Sequence, residues 1–161
     1  QTEYILKMNL YCDGKKVLIV ELVVFTDGWI NYQSSLYFIS SERKSWAESR
    51  RYCTERGADL IIINNREEQV SETNFVTISC GAHVWIGLTD SDMEGRWKWV
   101  DGSTPGTEHL MLICCFRSWG FAEPNSIGDN EDCALTHSLG WADFSCYNIF
   151  QWICEKNNIS P

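Results

Sequence analysis

The chain lacks any apolar run approaching the ~18 residues needed to span a bilayer. Its longest apolar stretch, Val17 to Phe25, is broken by Glu21, and polar flanks make it a poor signal peptide. No membrane anchor is expected within these residues, and Gln1 in place of Met reads as a processed form or an excised fragment. Basic residues are scarce: 13 Lys and Arg stand against 22 Asp and Glu, a formal net charge of -9. A phosphate backbone requires clustered Lys and Arg, so no nucleic-acid partner is expected, and anionic membranes are disfavoured on the same ground. No C-x-x-C pair occurs among the cysteines, which removes support for a zinc ribbon or a thioredoxin-like redox site. Nucleophile elbows, phosphate loops, internal repeats and low-complexity tracts are missing as well. His83, His109 and His137 show no metal-ligand spacing.

What is present is enough for one domain of ordinary size: 161 residues, 44% hydrophobic, with eight Trp. Large aromatics of that number imply a densely packed core. The eight cysteines, Cys12, Cys53, Cys80, Cys114, Cys115, Cys133, Cys146 and Cys154, point to disulfides formed in an oxidising, extracellular compartment. Acidic residues suit hard cations such as Ca²⁺, which take carboxylate and carbonyl oxygens, although a plain soluble surface has the same composition.

Residues 1–24 differ from the rest. Two apolar stretches, Tyr4 to Leu6 and Val17 to Val24, flank the turn-like Asp13-Gly14, so this part is either a hairpin or a loosely attached extension. From Phe25 to Ile39 the alternation of aromatic, apolar and polar residues predicts strand. Ser45 with Glu48 three residues on forms a capping box. The helix behind it places Trp46, Ala47, Arg50 and Cys53 on one face, with Gly57 as the stop. Leu60 to Ile63 is a strand-length apolar run. Asn65 and Glu68 predict a second helix to about Ser79, stopped by Gly81. Val84–Leu88 and Trp97–Val100 read as strands, and Cys133–Leu135, Trp141–Phe144 and Phe150–Cys154 as three closing strands. Between them, residues 101–132 form a long Gly-, Pro- and acid-rich loop, the kind that is usually functional.

In order, Trp85-Ile86-Gly87-Leu88, Trp97-Lys98-Trp99-Val100-Asp101-Gly102, Glu123-Pro124-Asn125, Glu131-Asp132-Cys133, Trp141, Cys146 and Trp152-Ile153-Cys154 resemble the C-type lectin-like domain. The resemblance covers roughly residues 29–156 and is nearest the mannose-binding, Glu-Pro-Asn group. It implies an α+β fold in which two helices flank antiparallel strands and a long calcium-binding loop projects from one end. The implied organisation is an N-terminal extension of unclear structure at 1–24, the lectin domain at 25–156 and a C-terminal tail at 157–161.

The resemblance further implies disulfides Cys53–Cys154 and Cys133–Cys146. An additional N-terminal bridge of many relatives is replaced here by Phe25 and Leu36, read as an apolar substitute contact. Cys12, Cys80, Cys114 and Cys115 remain. Adjacent Cys114 and Cys115 can hardly pair with each other without strain. Pairing of one with Cys80, with Cys12 or with a second chain stands beside the alternative of buried free thiols.

Carried over from the family, the sugar-binding calcium is held by Glu123, Asn125, Glu131 and Asp143, with a cis peptide before Pro124. A second calcium falls to Asp90, Glu94, Ser126, Glu131 and Asp132, with Ser126 where relatives place Asp or Asn. Glu-Pro-Asn implies mannose-, fucose- and N-acetylglucosamine-type glycans or glycoproteins as partners, and Gln-Pro-Asp would imply galactose. Two departures matter. Ala142 stands in Trp141-Ala142-Asp143 where the family has Trp-Asn-Asp, which deletes one calcium ligand and one sugar donor. The segment 104–122 is longer than in relatives and contains the apolar run 110–116, read as a packed loop in the core, with an interface patch or a lipid-seeking edge as alternatives.

Paired carboxylates can also serve a glycosidase, but the resemblance is to binding domains without catalysis, so no enzyme is expected. The expected function is a calcium-dependent, extracellular lectin, in secreted or receptor-ectodomain form, active in innate recognition and open to oligomerisation. The rival is a lectin-like domain that has lost sugar binding through Ala142 and binds a protein. Asn158-Ile159-Ser160 is an N-glycosylation sequon.

Overall fold

A computed structural model describes residues 2–12, 15–26, 28–32, 35–63, 83–105, 119–128, 130–137 and 140–157. The predicted second helix from Asn65, the run 110–116, Cys80, Cys114, Cys115, His109 and Asn158 lie outside the described residues. The described residues of 1–24 form two paired antiparallel strands. Strand β1 (Thr2–Cys12) pairs antiparallel with β2 (Lys15–Thr26), from Thr2 opposite Phe25 to Cys12 opposite Lys15. The ladder continues through β3 (Trp29–Tyr32) to β4 (Ser35–Ile39). Phe25 lies opposite Ile30, and Leu36 opposite Asn31. Strand β3 therefore separates Phe25 from Leu36, and they are not a cross-strand pair.

Helix α1 (Trp46–Thr54) begins as the sequence predicts. The Ser45 side chain accepts from the Glu48 amide, and the Glu48 carboxylate accepts from the Ser45 amide. Gly57, at φ 67°, follows its end. The buried face is Trp46, Ser49 and Cys53. Ala47 is exposed, which corrects the predicted face: a helix of this length turns position 47 away once Trp46 and Cys53 define the inward stripe.

Past the helix, β5 (Asp59–Leu60) is shorter than the apolar run suggested. Beyond its end, the Ile61 backbone still bonds two neighbours. Its N–H donates to Ile153 and its carbonyl accepts from Gly87, at 3.0 and 2.8 Å. Gly87 lies in β6 (Val84–Thr89). A Cβ there would meet the Leu60 carbonyl oxygen at 2.8 Å, so Trp85-Ile86-Gly87-Leu88 requires its glycine for this close approach. Only Lys98–Trp99 of the predicted Trp97–Val100 strand forms β7. The closing strands are β8 (Cys133–His137), β9 (Gly140–Phe144) and β10 (Gln151–Asn157).

The sheet order is β1-β2-β3-β4-β10-β6-β8-β9, with β5 on β10 and β7 on β6. All pairs are antiparallel except β10 with β6. One apolar cluster gathers Ile61, Ile86, Leu88, Trp99, Trp141 and Ile153. A second holds Trp46, Leu60, Trp85, Leu135, Ala142 and Trp152 around the disulfides. Among the described residues the bridges are Cys53–Cys154, spanning 101 residues, and Cys133–Cys146, spanning 13. Closing loops of these lengths stabilises the fold by about 3–5 kcal/mol per bridge, chiefly by restricting the unfolded chain. The second bridge pins β8 to the turn after β9; Asp132 directly precedes β8 and Asp143 lies on β9.

Candidate functional site

Strand β6 ends by delivering Asp90 beneath the loop. The Asp90 N–H and the Thr89 hydroxyl both donate to the Asp132 carbonyl, at 3.1 and 2.6 Å. This fixes the end of β6 to the residue that precedes β8. The Asp90 side chain is 2% exposed. Its Oδ2 accepts from the Gly95 N–H at 2.8 Å, while its Oδ1 is buried without a partner. Burial pushes this carboxyl above its usual range, and the negative charges of Glu94 and Asp132 push in the same direction. A buried acceptor facing two further carboxylates is suited to a cation.

The second half of the site comes from β9 and the loop 119–128. Cross-strand pairing sets Asp143 opposite Ala134, and its side chain is buried. The loop reaches it through a main-chain contact. Trp119 bridges Trp141, and the Gly120 N–H donates to the Trp141 carbonyl at 2.8 Å. A turn then closes with the Glu123 N–H donating to the Gly120 carbonyl at 3.2 Å. The Glu123–Pro124 bond is cis, and Ala122 and Ser126 carry φ of 64° and 44°.

Beyond that bond the loop wraps around Asp143. Its Oδ1 accepts from the Asn125 N–H at 3.0 Å and its Oδ2 from the Ser126 N–H at 2.7 Å. The Asn125 amide donates to both oxygens of Glu123 at 2.9 Å. The Ile127 N–H donates to Glu131 Oε2 at 2.9 Å and to the Asn125 side-chain oxygen at 3.1 Å. The Ser126 hydroxyl donates to Glu94 Oε1 at 2.8 Å. The Glu123 carboxyl is pushed up to about 7, first by burial, then by its hydrogen bond to Asp143 and the like charge there; the Asn125 amide opposes the shift.

Glu123, Asn125, Glu131 and Asp143 thus stand in one bonded neighbourhood, and Asp90, Glu94, Ser126 and Asp132 in an adjoining one. Both have crowded carboxylates that, among the described residues, no Lys or Arg bonds, and the second also holds the orphaned Asp90 oxygen; this is chemistry suited to a hard cation. Among the described residues, no three His, Cys, Asp or Glu side chains form a ready-made cage. The network instead folds the carboxylates onto backbone N–H groups and one another. Ala142, the residue that departs from the family, is 7% exposed and packs in the apolar cluster with Leu135 and Trp152.

Sequence reasoning missed Trp119 and Gly140. Trp119 packs edge-on against Trp97 and Trp141, with centroids 4.6 and 6.0 Å apart. A Cβ on Gly140 would lie 2.7 Å from the Gly120 nitrogen. The available signal was a Trp four positions before Glu123. Exposed Phe121 and Ile127, at 87% and 69%, flank the Glu123–Asn125 segment.

A disulfide-bonded domain that presents an acidic loop beside paired strands, with no transmembrane-length apolar helix among the described residues, has the plan of a ligand-binding module. The chain belongs to the C-type lectin domain family: the family's sequence profile, described as Lectin C-type domain, matches residues 42–156. It is 41% identical over 138 residues to C-type lectin domain family 4 member E of Mus musculus, covering 83% of this chain and 60% of that protein. It is 41% identical over 135 residues to asialoglycoprotein receptor 2 of Rattus norvegicus, covering 80% of this chain and 40% of the relative. The chain therefore spans under two thirds of these relatives. The mouse scavenger receptor C-type lectin carbohydrate-recognition domain superposes with a TM-score of 0.68 at 31% identity, covering 84% of this chain and 98% of that one.

Proposed function

We propose that this chain is a calcium-dependent carbohydrate-binding domain of an extracellular receptor or secreted lectin. It takes mannose-, fucose- or N-acetylglucosamine-type glycans at Glu123, Asn125, Glu131 and Asp143. The observation that carries this reading is the joining of Glu123 and Asp143 through Asn125, whose side-chain amide donates to both Glu123 oxygens and whose N–H donates to the Asp143 carboxylate. Two carboxylates gathered about one residue are an arrangement that a divalent cation suits. Calcium, when bound, supplies a hard centre on which vicinal sugar hydroxyls can seat.

The chain's own groups do the rest. The Asn125 amide donates to a sugar oxygen, and Glu123 and Glu131 accept from hydroxyls. Asp143 holds the Asn125 and Ser126 amides and so fixes the loop. Asp90, Glu94, Ser126, Glu131 and Asp132 take a second calcium beside the first. Glu123 and Asn125, rather than Gln and Asp, favour the mannose group over galactose. Sequence kinship with lectins and receptors supports a role in recognising foreign glycans, and oligomers would raise avidity.

Retention of the folded domain on immobilised mannan, with calcium and then with excess chelator, tests this reading. Retention released by chelator, with none on a galactose matrix, is the expected result. A folded domain that passes through mannan unretarded refutes it. Buried Ala142 favours a second reading, a lectin-like domain whose ligand is a protein. Under that reading neither matrix retains the chain and calcium leaves its melting temperature unchanged.

A further inference from the structure

We infer that Gly140 is a positioning residue for the binding loop: its missing side chain lets Gly120 dock on β9 and thereby sets Glu123 beside Asp143. The inference rests on the site proposed above. Two spans of equal length meet there, residues 120–123 on the loop and 140–143 on β9. At one end a Cβ on Gly140 would lie 2.7 Å from the Gly120 nitrogen, 2.9 Å from its Cα and 2.9 Å from the Trp119 carbonyl carbon. All three are main-chain atoms, which cannot swing aside as a flexible side chain would. The contact is held by the bond from the Gly120 N–H to the Trp141 carbonyl at 2.8 Å. At the other end, the Asn125 and Ser126 N–H groups donate to the Asp143 carboxylate, and the Asn125 side chain donates to both Glu123 oxygens. The turn from Gly120 to Glu123 joins the two ends. Gly140, at φ 128°, has no polar side chain and touches no ligand group. It acts through where it lets the loop rest.

Gly140→Ala tests this, with Gly102→Ala as control. Gly102 also has positive φ, 87°, but nothing lies within 4 Å of its Cβ position. The control therefore carries the backbone strain without the collision. Amide hydrogen exchange is measured first in chelator. In Gly140→Ala the Asn125 and Ser126 amides should exchange at least about tenfold faster than in the parent, while Ile86 and Leu88 in β6 keep their protection. Gly102→Ala should leave all four unchanged. Trp119→Ala, which removes the ring but keeps both glycines, should accelerate the same two amides, and it decides the matter if Gly140→Ala does not fold. Exchange within about twofold of the parent at Asn125 and Ser126 in a folded variant overturns the inference.

Calcium titration is the second arm. Affinity should fall at least about tenfold in Gly140→Ala, and unaltered affinity in the folded variant also overturns the inference. A parent chain that takes no calcium would overturn the proposed function alone, because the exchange measurements in chelator still decide the role of Gly140.

Discussion

The Ser126 hydroxyl donates to Glu94 at 2.8 Å across 32 residues of sequence, while the Ser126 N–H donates to Asp143 at 2.7 Å. One residue therefore ties the Asp90–Glu94 corner to the Glu123–Asp143 corner. Ser126→Ala removes a hydrogen bond to a carboxylate, of the kind worth about 1.5–3 kcal/mol. The expected outcome is calcium binding weakened roughly tenfold or more, read by calorimetry. Ser126→Asn restores a cation oxygen and tolerates the φ of 44°, and should bind calcium at least as well as the parent.

Acid should release the cation. The folded-state value of Glu123 is raised to about 7, so without calcium its contribution to stability is present below the ordinary carboxylate value and lost as pH rises through about 7. Calcium needs the ionised carboxylate, so the gain in melting temperature on adding calcium should grow from about pH 5 to about pH 8. A calcium-dependent gain that is flat across that range would contradict the role given to Glu123.

Ala122 holds φ at 64°, a left-handed conformation that costs a residue with a Cβ about 1–2 kcal/mol. Ala122→Gly removes that cost and adds some unfolded-chain entropy. The expected net effect is a stabilisation of up to about 1 kcal/mol, read from chemical denaturation in chelator, with no loss of mannan retention.

Ala142→Asn should act in opposite directions on folding and binding. The site is 7% exposed within an apolar cluster, so an amide there costs about 1–3 kcal/mol when no cation engages it. With calcium present, mannan retention should strengthen. Melting in chelator and retention in calcium give the two readings, and an equal loss in both would show that position 142 does not face the cation.

The readable parts of this fold were those governed by near neighbours. The Ser45–Glu48 cap is a three-residue relationship, and it forms as the sequence indicates. The disulfides and the Glu-Pro-Asn segment came through resemblance, and the bridges Cys53–Cys154 and Cys133–Cys146 are present. Ala47 was misplaced because a nine-residue helix leaves little periodicity from which to choose a face. Leu60 to Ile63 read as a full strand, although only Asp59–Leu60 forms one; Ile61 donates to Ile153 and accepts from Gly87, partners far along the chain. Gly140 was silent for the same reason: its meaning lies in a contact with Gly120, twenty residues away.

The pairing of β4 with β10 sets Ser35 opposite Asn157. The polypeptide thus enters and leaves this body of the fold at adjacent points, about one strand spacing, roughly 4.8 Å, apart. A host protein would need to open only a small gap in a surface loop to accept residues 35–157 as an insert, and tandem copies could be strung along a single stalk without either crossing point straining the other.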